Sequence, residues 1–212
     1  MAIYQLEKIA RDVRVAMEQN AVSRELSGIG DVDTLTLEEV IGSKIAEGVR
    51  RVHLTAPVHL LESGHHFGDR LFWDGEGSGH VLLPDDFLRL VVFQMSDWIR
   101  PVYTCITPED PTYVIQHSRF RGVRGCPEKP VCAIVMRPEG LSLEFYSCKD
   151  EEAWVRRGIY IPVPCVDADD GIDICKRCYM AAVYAIAADV LATYGETERC
   201  QIMNELSAAA LK

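Results

Sequence analysis

The segment 131–146, VCAIVMRPEGLSLEFY, leaves a chain the least choice of fold. Two apolar, β-branched runs flank Pro138–Glu139–Gly140. Proline fixes φ at one turn position and glycine accepts a positive φ at another, so the backbone reverses there. Beyond the turn Leu141, Leu143 and Phe145 alternate with Ser142 and Glu144. That period of two predicts a hairpin strand with one buried and one wet face. The hairpin anchors a central antiparallel β-sheet or sandwich-like region.

Upstream, residues 82–103 read LLPDDFLRLVVFQMSDWIRPVY. A turn at Pro84–Asp85–Asp86 feeds an apolar run from Phe87 to Met95, whose Val91, Val92 and Phe93 favour a strand buried on both sides. Helix-period sequence gives way to strand-period sequence here. The stretch is therefore expected to join a helical part to the β part, with Phe87 and Trp98 fixing the join by aromatic burial. Glycines 64, 68, 75, 77 and 79 punctuate short strands around Leu71–Trp73 and His80–Leu83. Val102–Ile106 and Gly158–Val163 read as further strands, the second marked by Pro162 as an edge or bulge. Residues 112–117 are a strand or a short helix.

The flanks are helical. Leu6, Ile9, Val13, Ala16 and Met17 share one face of a helix over residues 2–20. Residues 21–35 are a connector. Thr36–Leu37–Glu38–Glu39 has the capping-box pattern, and Leu37, Ile41, Ile45, Val49 and Val52 continue it as a stripe until Pro57 stops the helix. Gly42 and Gly48 weaken that helix unless something packs closely against them. After an acidic stretch, Asp167–Asp173, residues 176–194 form an alanine- and tyrosine-rich helix apolar nearly all round, closed by Gly195. Residues 196–211 form a last helix carrying Cys200, Met203, Leu206 and Ala210. The order of helices, antiparallel strands and a C-terminal helical hairpin is α+β. It divides as 1–58, 59–165 and 166–212, the outer two parts forming one compact unit.

Charge narrows the function. A net charge of −10 excludes a general nucleic-acid-binding surface but suits a wall past which DNA must slide, since phosphate is repelled. The N-terminus lacks the apolar core of a signal peptide, and the longest apolar run is too short to span a bilayer. A soluble chain follows. Its eight cysteines read as thiols in a reducing cytoplasm.

Candidate chemistry is sparse. Cys175 and Cys178 form a CxxC at a helix start, where zinc or redox chemistry would need a second ligand pair or a strand leading directly in. The Asp-rich approach argues against such a strand. Buried, inert thiols are the plainer assignment. His65 and His66 are a second metal candidate, although adjacent strand residues point opposite ways. Asp167–Asp173 lacks the glycine and glutamate positions of a calcium loop and reads as a solvated turn. Asp85–Asp86 reads as a turn rather than an acid–base pair. Arg119, Arg121 and Arg124 make the one concentrated basic stretch, a contact for phosphate or for an acidic protein neighbour.

The capped helix ending VRRVHLTAP, the LPDDFLRLVVFQMSDWIRPVY stretch, the GCPEKPVCAIVMRPEGLSLEFYS hairpin and the Ala/Tyr-rich C-terminal helix together resemble virion proteins of tailed phages, or prophages, of gut Bacteroidetes. Their architecture is similar to head–tail connector (adaptor, or neck ring) proteins. The resemblance implies a non-enzymatic subunit of a homo-oligomeric ring, commonly a dodecamer, beneath the portal protein and joined to neighbouring neck or tail proteins. DNA would pass through it without sequence-specific binding. It implies no catalytic residue, cofactor or membrane contact, and a place in the virion after assembly in the host cytoplasm. Interface candidates are then Arg119, Arg121, Arg124, Tyr184 and Met203. The alternatives are a small zinc- or thiol-dependent enzyme using Cys175 and Cys178, and an accessory interaction module that forms no ring.

Overall fold

The structure, a computed structural model, describes residues 2–17, 35–61, 64–118, 120, 122–146, 148–169 and 171–212. The connector expected at 21–35 lies outside the described residues except for Leu35, as do Arg119 and Arg121. The fold is α+β, with antiparallel sheets between flanking helices and a helical hairpin at the C-terminus. The chain gathers into two compact units, residues 1–62 with 164–212 and residues 63–163.

In the helical unit the chain begins with strand β1 (Ala2–Gln5), followed by helix α1 (Leu6–Ala16). The apolar stripe through Ile9, Val13 and Met17 forms the expected helix, but its first turn is missing. Residues 2–5 instead pair antiparallel with β9 (Gly171–Ile174), Ala2 opposite Ile174 and Gln5 opposite Gly171. Backbone pairing with a distant segment outweighs the local helical period here. Helix α2 (Leu37–Thr55) starts as its sequence dictates. The Thr36 hydroxyl accepts from the Glu39 amide at 3.3 Å, and the Glu39 carboxylate accepts from the Thr36 amide at 2.7 Å. Both satisfy donors that the first turn leaves without intrahelical partners. The helix ends at Ala56, ahead of Pro57.

A 3-10 turn at Lys176–Cys178 leads into α4 (Tyr179–Thr193), and Gly195, at φ +78°, turns the chain into α5 (Thr197–Ala209). A further helix among the described residues, α3, is the short Pro111–Gln116 in the β unit. Nine side chains of α4, from Ala181 to Leu191, are buried, all of them Ala, Val, Ile or Leu. α2 covers one side of it closely: a Cβ on Gly48 would lie 2.5 Å from Ile186 Cγ1. Arg51 fastens the same pair, donating to Asp189 Oδ1 at 2.7 Å and to the Ala185 carbonyl at 2.8 Å. On the opposite side Ser207 of α5 donates to the Ala181 carbonyl at 2.9 Å.

The β unit holds two antiparallel sheets. One has the order β2 (His65–His66), β8 (Val155–Pro162), β5 (Phe87–Met95). The other has the order β3 (Leu71–Gly75), β4 (Ser78–Leu82), β7 (Gly140–Phe145), β6 (Cys132–Arg137). The 131–146 hairpin forms in the expected place, with Arg137 opposite Gly140 and Cys132 opposite Phe145. Phe93, Met95, Trp98, Leu143, Phe145 and Tyr160 build the core. Phe93 meets Trp98 edge-on at 5.6 Å, and Phe87 stacks on Tyr160 at 5.7 Å.

Four expectations change. Phe87 and Trp98 do not mark a join between the parts: residues 82–103 lie wholly inside the β unit, and the chain passes between units near residues 62–63 and 163–164. The Gly158–Val163 strand starts earlier, at Val155, and is the central strand of its sheet rather than an edge; the expected irregularity at Pro162 is present, as the register with β5 shifts between Phe87, opposite Pro162, and Arg89, opposite Ile161. Val102–Ile106 makes isolated bridges only, to Phe93 and Ala133. The supposed wet face of β7 is covered, with Ser142 and Glu144 both buried; Tyr113 of α3, Arg137 and Tyr146 all reach Glu144 on it.

The two glycines of α2 should part company under substitution. Gly42 is exposed with nothing within 4 Å of an added Cβ, so Gly42→Ala is expected to raise stability by about 1 kcal/mol through helix propensity. Gly48→Val forces a branched side chain into Ile186 and is expected to cost about 2 kcal/mol. Urea unfolding followed by circular dichroism reads both.

Candidate functional site

Three helices leave an open, mostly apolar groove of about 700 Å³ on the helical unit, lined by α1, α4 and α5. Its origin is local. On α4, Met180 and Tyr184 stand one turn apart at the N-terminal end; on α5, Ile202 and Leu206 do the same, with Met203 between them. From α1, Val15 and Ala16 close the third wall. The apolar side chains are offered to solvent to an unusual degree: Val15 is 72% exposed, Ile202 52%, Met180 47% and Leu206 40%. A contiguous patch of this kind marks an interaction surface more often than a scatter of single exposed aliphatics does.

The polar groups at the groove's margin already have partners. Asp12 accepts from the Tyr179 hydroxyl at 2.6 Å, and burial together with that carboxylate pushes the phenol up. Tyr179 in turn stacks on Tyr4 at 4.3 Å, with Lys8 Nζ about equally close to both rings, at 5.0 and 5.3 Å. Arg199 donates through Nη2 to the Met17 carbonyl at 2.6 Å and through Nη1 to Glu196 at 3.3 Å. It thereby places a cation at the C-terminal, negative end of α1. With both charges engaged, the groove offers shape and apolar area rather than a reacting group.

Sequence reasoning named Tyr184 and Met203, and both line this groove. It missed Val15, Met180, Ile202 and Leu206 as a set. The spacing of Met180 with Tyr184 and of Ile202 with Leu206 was visible, but only the docking of the helices says which apolar face is left over. Arg124 is withdrawn as a contact residue. Its side chain is 8% exposed and its guanidinium donates to the Glu76 carbonyl at 2.8 Å, so it serves the protein rather than an outside phosphate.

Cys175 and Cys178 are fully buried. β9 does lead straight into them, contrary to expectation, but it belongs to a two-stranded antiparallel pair rather than a βαβ unit. The Cys175 amide donates to His53 Nε2 at 3.5 Å and the Cys178 thiol faces the Leu60 carbonyl at 4.0 Å. His65 and His66 are exposed on β2 in the other unit, His65 edge-on to Tyr160 at 5.8 Å. The structure therefore does not bring the two candidate pairs into one compact unit. Among the described residues, no three His, Cys, Asp or Glu side chains are grouped to hold a metal ion. Asp86 accepts from the Tyr160 hydroxyl at 2.8 Å, as befits a turn residue.

A second polar cluster, unseen in the sequence, sits on the four-stranded sheet. Arg137 donates from Nε to Glu144 Oε1 at 2.9 Å, from Nη2 to Asp74 Oδ2 at 2.8 Å, and lies 2.8 Å from His80 Nδ1 through Nη1. The same His80 Nδ1 lies 3.2 Å from Asp74 Oδ2, so the ring nitrogen sits between the arginine and its counter-charge. Glu144 Oε2 accepts from the Tyr113 hydroxyl at 3.1 Å and from the Tyr146 hydroxyl. Burial raises the Glu144 carboxyl, but hydrogen bonds from Tyr146, Arg137 and Tyr113 outweigh it and hold the group below its ordinary value. Both oxygens are committed, so this cluster clamps β3, β4, β6, β7 and α3 together.

Removing the clamp should be visible. Glu144→Gln is expected to destabilise the β unit by about 2 kcal/mol, because Arg137 loses a buried counter-charge. A lowered folded value also means that Glu144's stabilisation is complete above its unfolded value near 4.5 and is lost as pH falls through the folded one. Wild-type stability should therefore decline as pH falls below the unfolded value, and the Gln variant should show a shallower drop. Urea midpoints across pH 2.5–7 read the difference.

No family model matches the chain, and no curated protein is significantly similar to it.

Proposed function

We propose that this chain is a non-catalytic structural subunit that associates with further copies of itself through the α1–α4–α5 groove, as a ring component of a phage head–tail connector. The observation that carries the reading is the groove itself, with its exposed Val15, Met180, Ile202 and Leu206 beside Tyr184 and Met203. Leaving these side chains in water forgoes about 25 cal/mol for each Å² that a partner could cover. In a ring each contact is heterologous, so the groove of one subunit receives a different surface of the next. Exposed Val114, Val123, Met136 and Trp154 on the β unit supply apolar surface suited to such a partner face.

One further feature favours this setting. The net charge of −10 suits a channel wall that DNA slides past without being held. No described helix is long and apolar enough to cross a membrane. The setting in a virion, with a portal protein above and neck or tail proteins below, rests on the resemblance of residues 49–57, 83–103, 125–147 and 176–194 to phage connector proteins. A zinc- or thiol-dependent enzyme gains no comparable support, since Cys175 and Cys178 are sealed from substrate.

Size-exclusion chromatography with light scattering, with and without portal protein, tests the reading. The wild-type chain is expected to form a closed oligomer or to join one on portal. Ile202→Glu with Leu206→Glu is expected to weaken assembly at least tenfold while leaving the melting temperature within about 2 °C, because both residues are exposed. A stable monomer indifferent to portal would sink the proposal.

A further inference from the structure

Independently of the groove, the β unit holds two thiols in the arrangement of an unmade cross-link. Ile106 and Ala133 form a parallel bridge, with the Ile106 amide donating to the Cys132 carbonyl at 2.9 Å and the Ile134 amide to the Ile106 carbonyl at 3.0 Å. The residues one step earlier, Cys105 and Cys132, are consequently side by side on adjacent backbones and share a face. Neighbouring strands run about 4.8 Å apart, within the roughly 4.4–6.8 Å between Cα atoms that a disulfide spans. Both side chains enter the same core: Cys132 is buried in it and Cys105 packs against it from a half-buried position. Burial, with the Cys105 thiol beside it, pushes the Cys132 thiol up.

We infer that Cys105 and Cys132 are a redox-sensitive pair that closes a disulfide when the protein meets an oxidising low-molecular-weight disulfide. The half-buried Cys105 meets the oxidant first. Its thiolate attacks one sulfur of the disulfide RSSR, forming a Cys105–SR mixed disulfide and releasing one thiolate, RS⁻. Cys132 then gives up its proton and attacks the Cys105 sulfur, closing the Cys105–Cys132 bond and expelling the second RS⁻. The two protein thiols lose two electrons and two protons, and RSSR becomes two RSH. Cys148, the third thiol of this core, is the less suitable partner. It is buried beside the Asp97 carboxylate, and both burial and that charge hold its proton in place.

The bond closes the segment 105–132, which carries α3 and the arginine-bearing stretch around Arg124, onto the edge of β6. In a reducing compartment the segment is held by non-covalent contacts, among them the bridge at Ile106 and the Ile99 amide donating to the Pro127 carbonyl at 3.0 Å. In an oxidising one it becomes a covalent loop, and the unfolded chain loses the corresponding freedom.

The test treats the native full-length protein with oxidised glutathione at pH 8, alkylates remaining thiols, and maps cross-linked peptides by mass spectrometry. The expected result is a Cys105–Cys132 cross-link that dithiothreitol reverses, with a melting temperature raised by roughly 5–10 °C. Cys105→Ser should abolish both effects and Cys148→Ser should preserve both. The proposal is overturned if Cys105 stops at the glutathione adduct, if Cys132 links instead to Cys148, or if the cross-link forms only in urea. The map of the wild-type chain decides even where a variant fails to fold.

Discussion

A helix without a polar face has to be enclosed, and α4 imposes that requirement on the helical unit. Val183, Ile186, Val190 and Leu191 are each buried to 2% exposure or less, a burial worth about 1.5–3 kcal/mol apiece. The alanines between them do a different job. Small side chains, with Gly48 facing Ile186, bring the α2 and α4 backbones closer than larger residues would permit. α1 and α5 complete the enclosure, and Arg51, Ser207 and Tyr179 each spend a hydrogen bond on holding a neighbouring helix in place. The enclosure stops short at Met180 and Tyr184, and the groove is what remains.

The β unit meets the opposite problem, a polar face that became an interior. Because Tyr113, Arg137 and Tyr146 gather over β7, Glu144 does not stay solvated. A buried carboxylate is tolerated when each oxygen finds donors, and Arg137, Tyr113 and Tyr146 supply them. The charged residues that resemble a catalytic group are thereby used up in cohesion. The groove on α1, α4 and α5 is, by contrast, apolar surface left in water.

Much of this was legible from residue order. The capping box at Thr36 and Glu39, the stop at Pro57, the Pro138–Gly140 hairpin, the closing Gly195 and the apolar character of α4 are local effects, decided within a few residues by sterics and hydrogen bonding. Of the candidate site, Tyr184 and Met203 were visible as unusual apolar residues on terminal helices. Val15, Ile202 and Leu206 were not separable from core residues, since period alone says that a face is apolar and not whether a neighbour covers it.

The sequence by itself determined the α+β class, the hairpin, the capped start of α2 with its stop at Pro57, and the acidic net charge. Tertiary structure alone decided that residues 2–5 leave the helical pattern to pair with 171–174, that residues 82–103 belong to the β core, and that Glu144 is inside. It also decided that Arg124 turns inward and that Cys105 comes beside Cys132. Each of these depends on segments distant in sequence: turn chemistry and side-chain period act over a few residues, while pairing, burial and leftover surface exist only once the elements have docked.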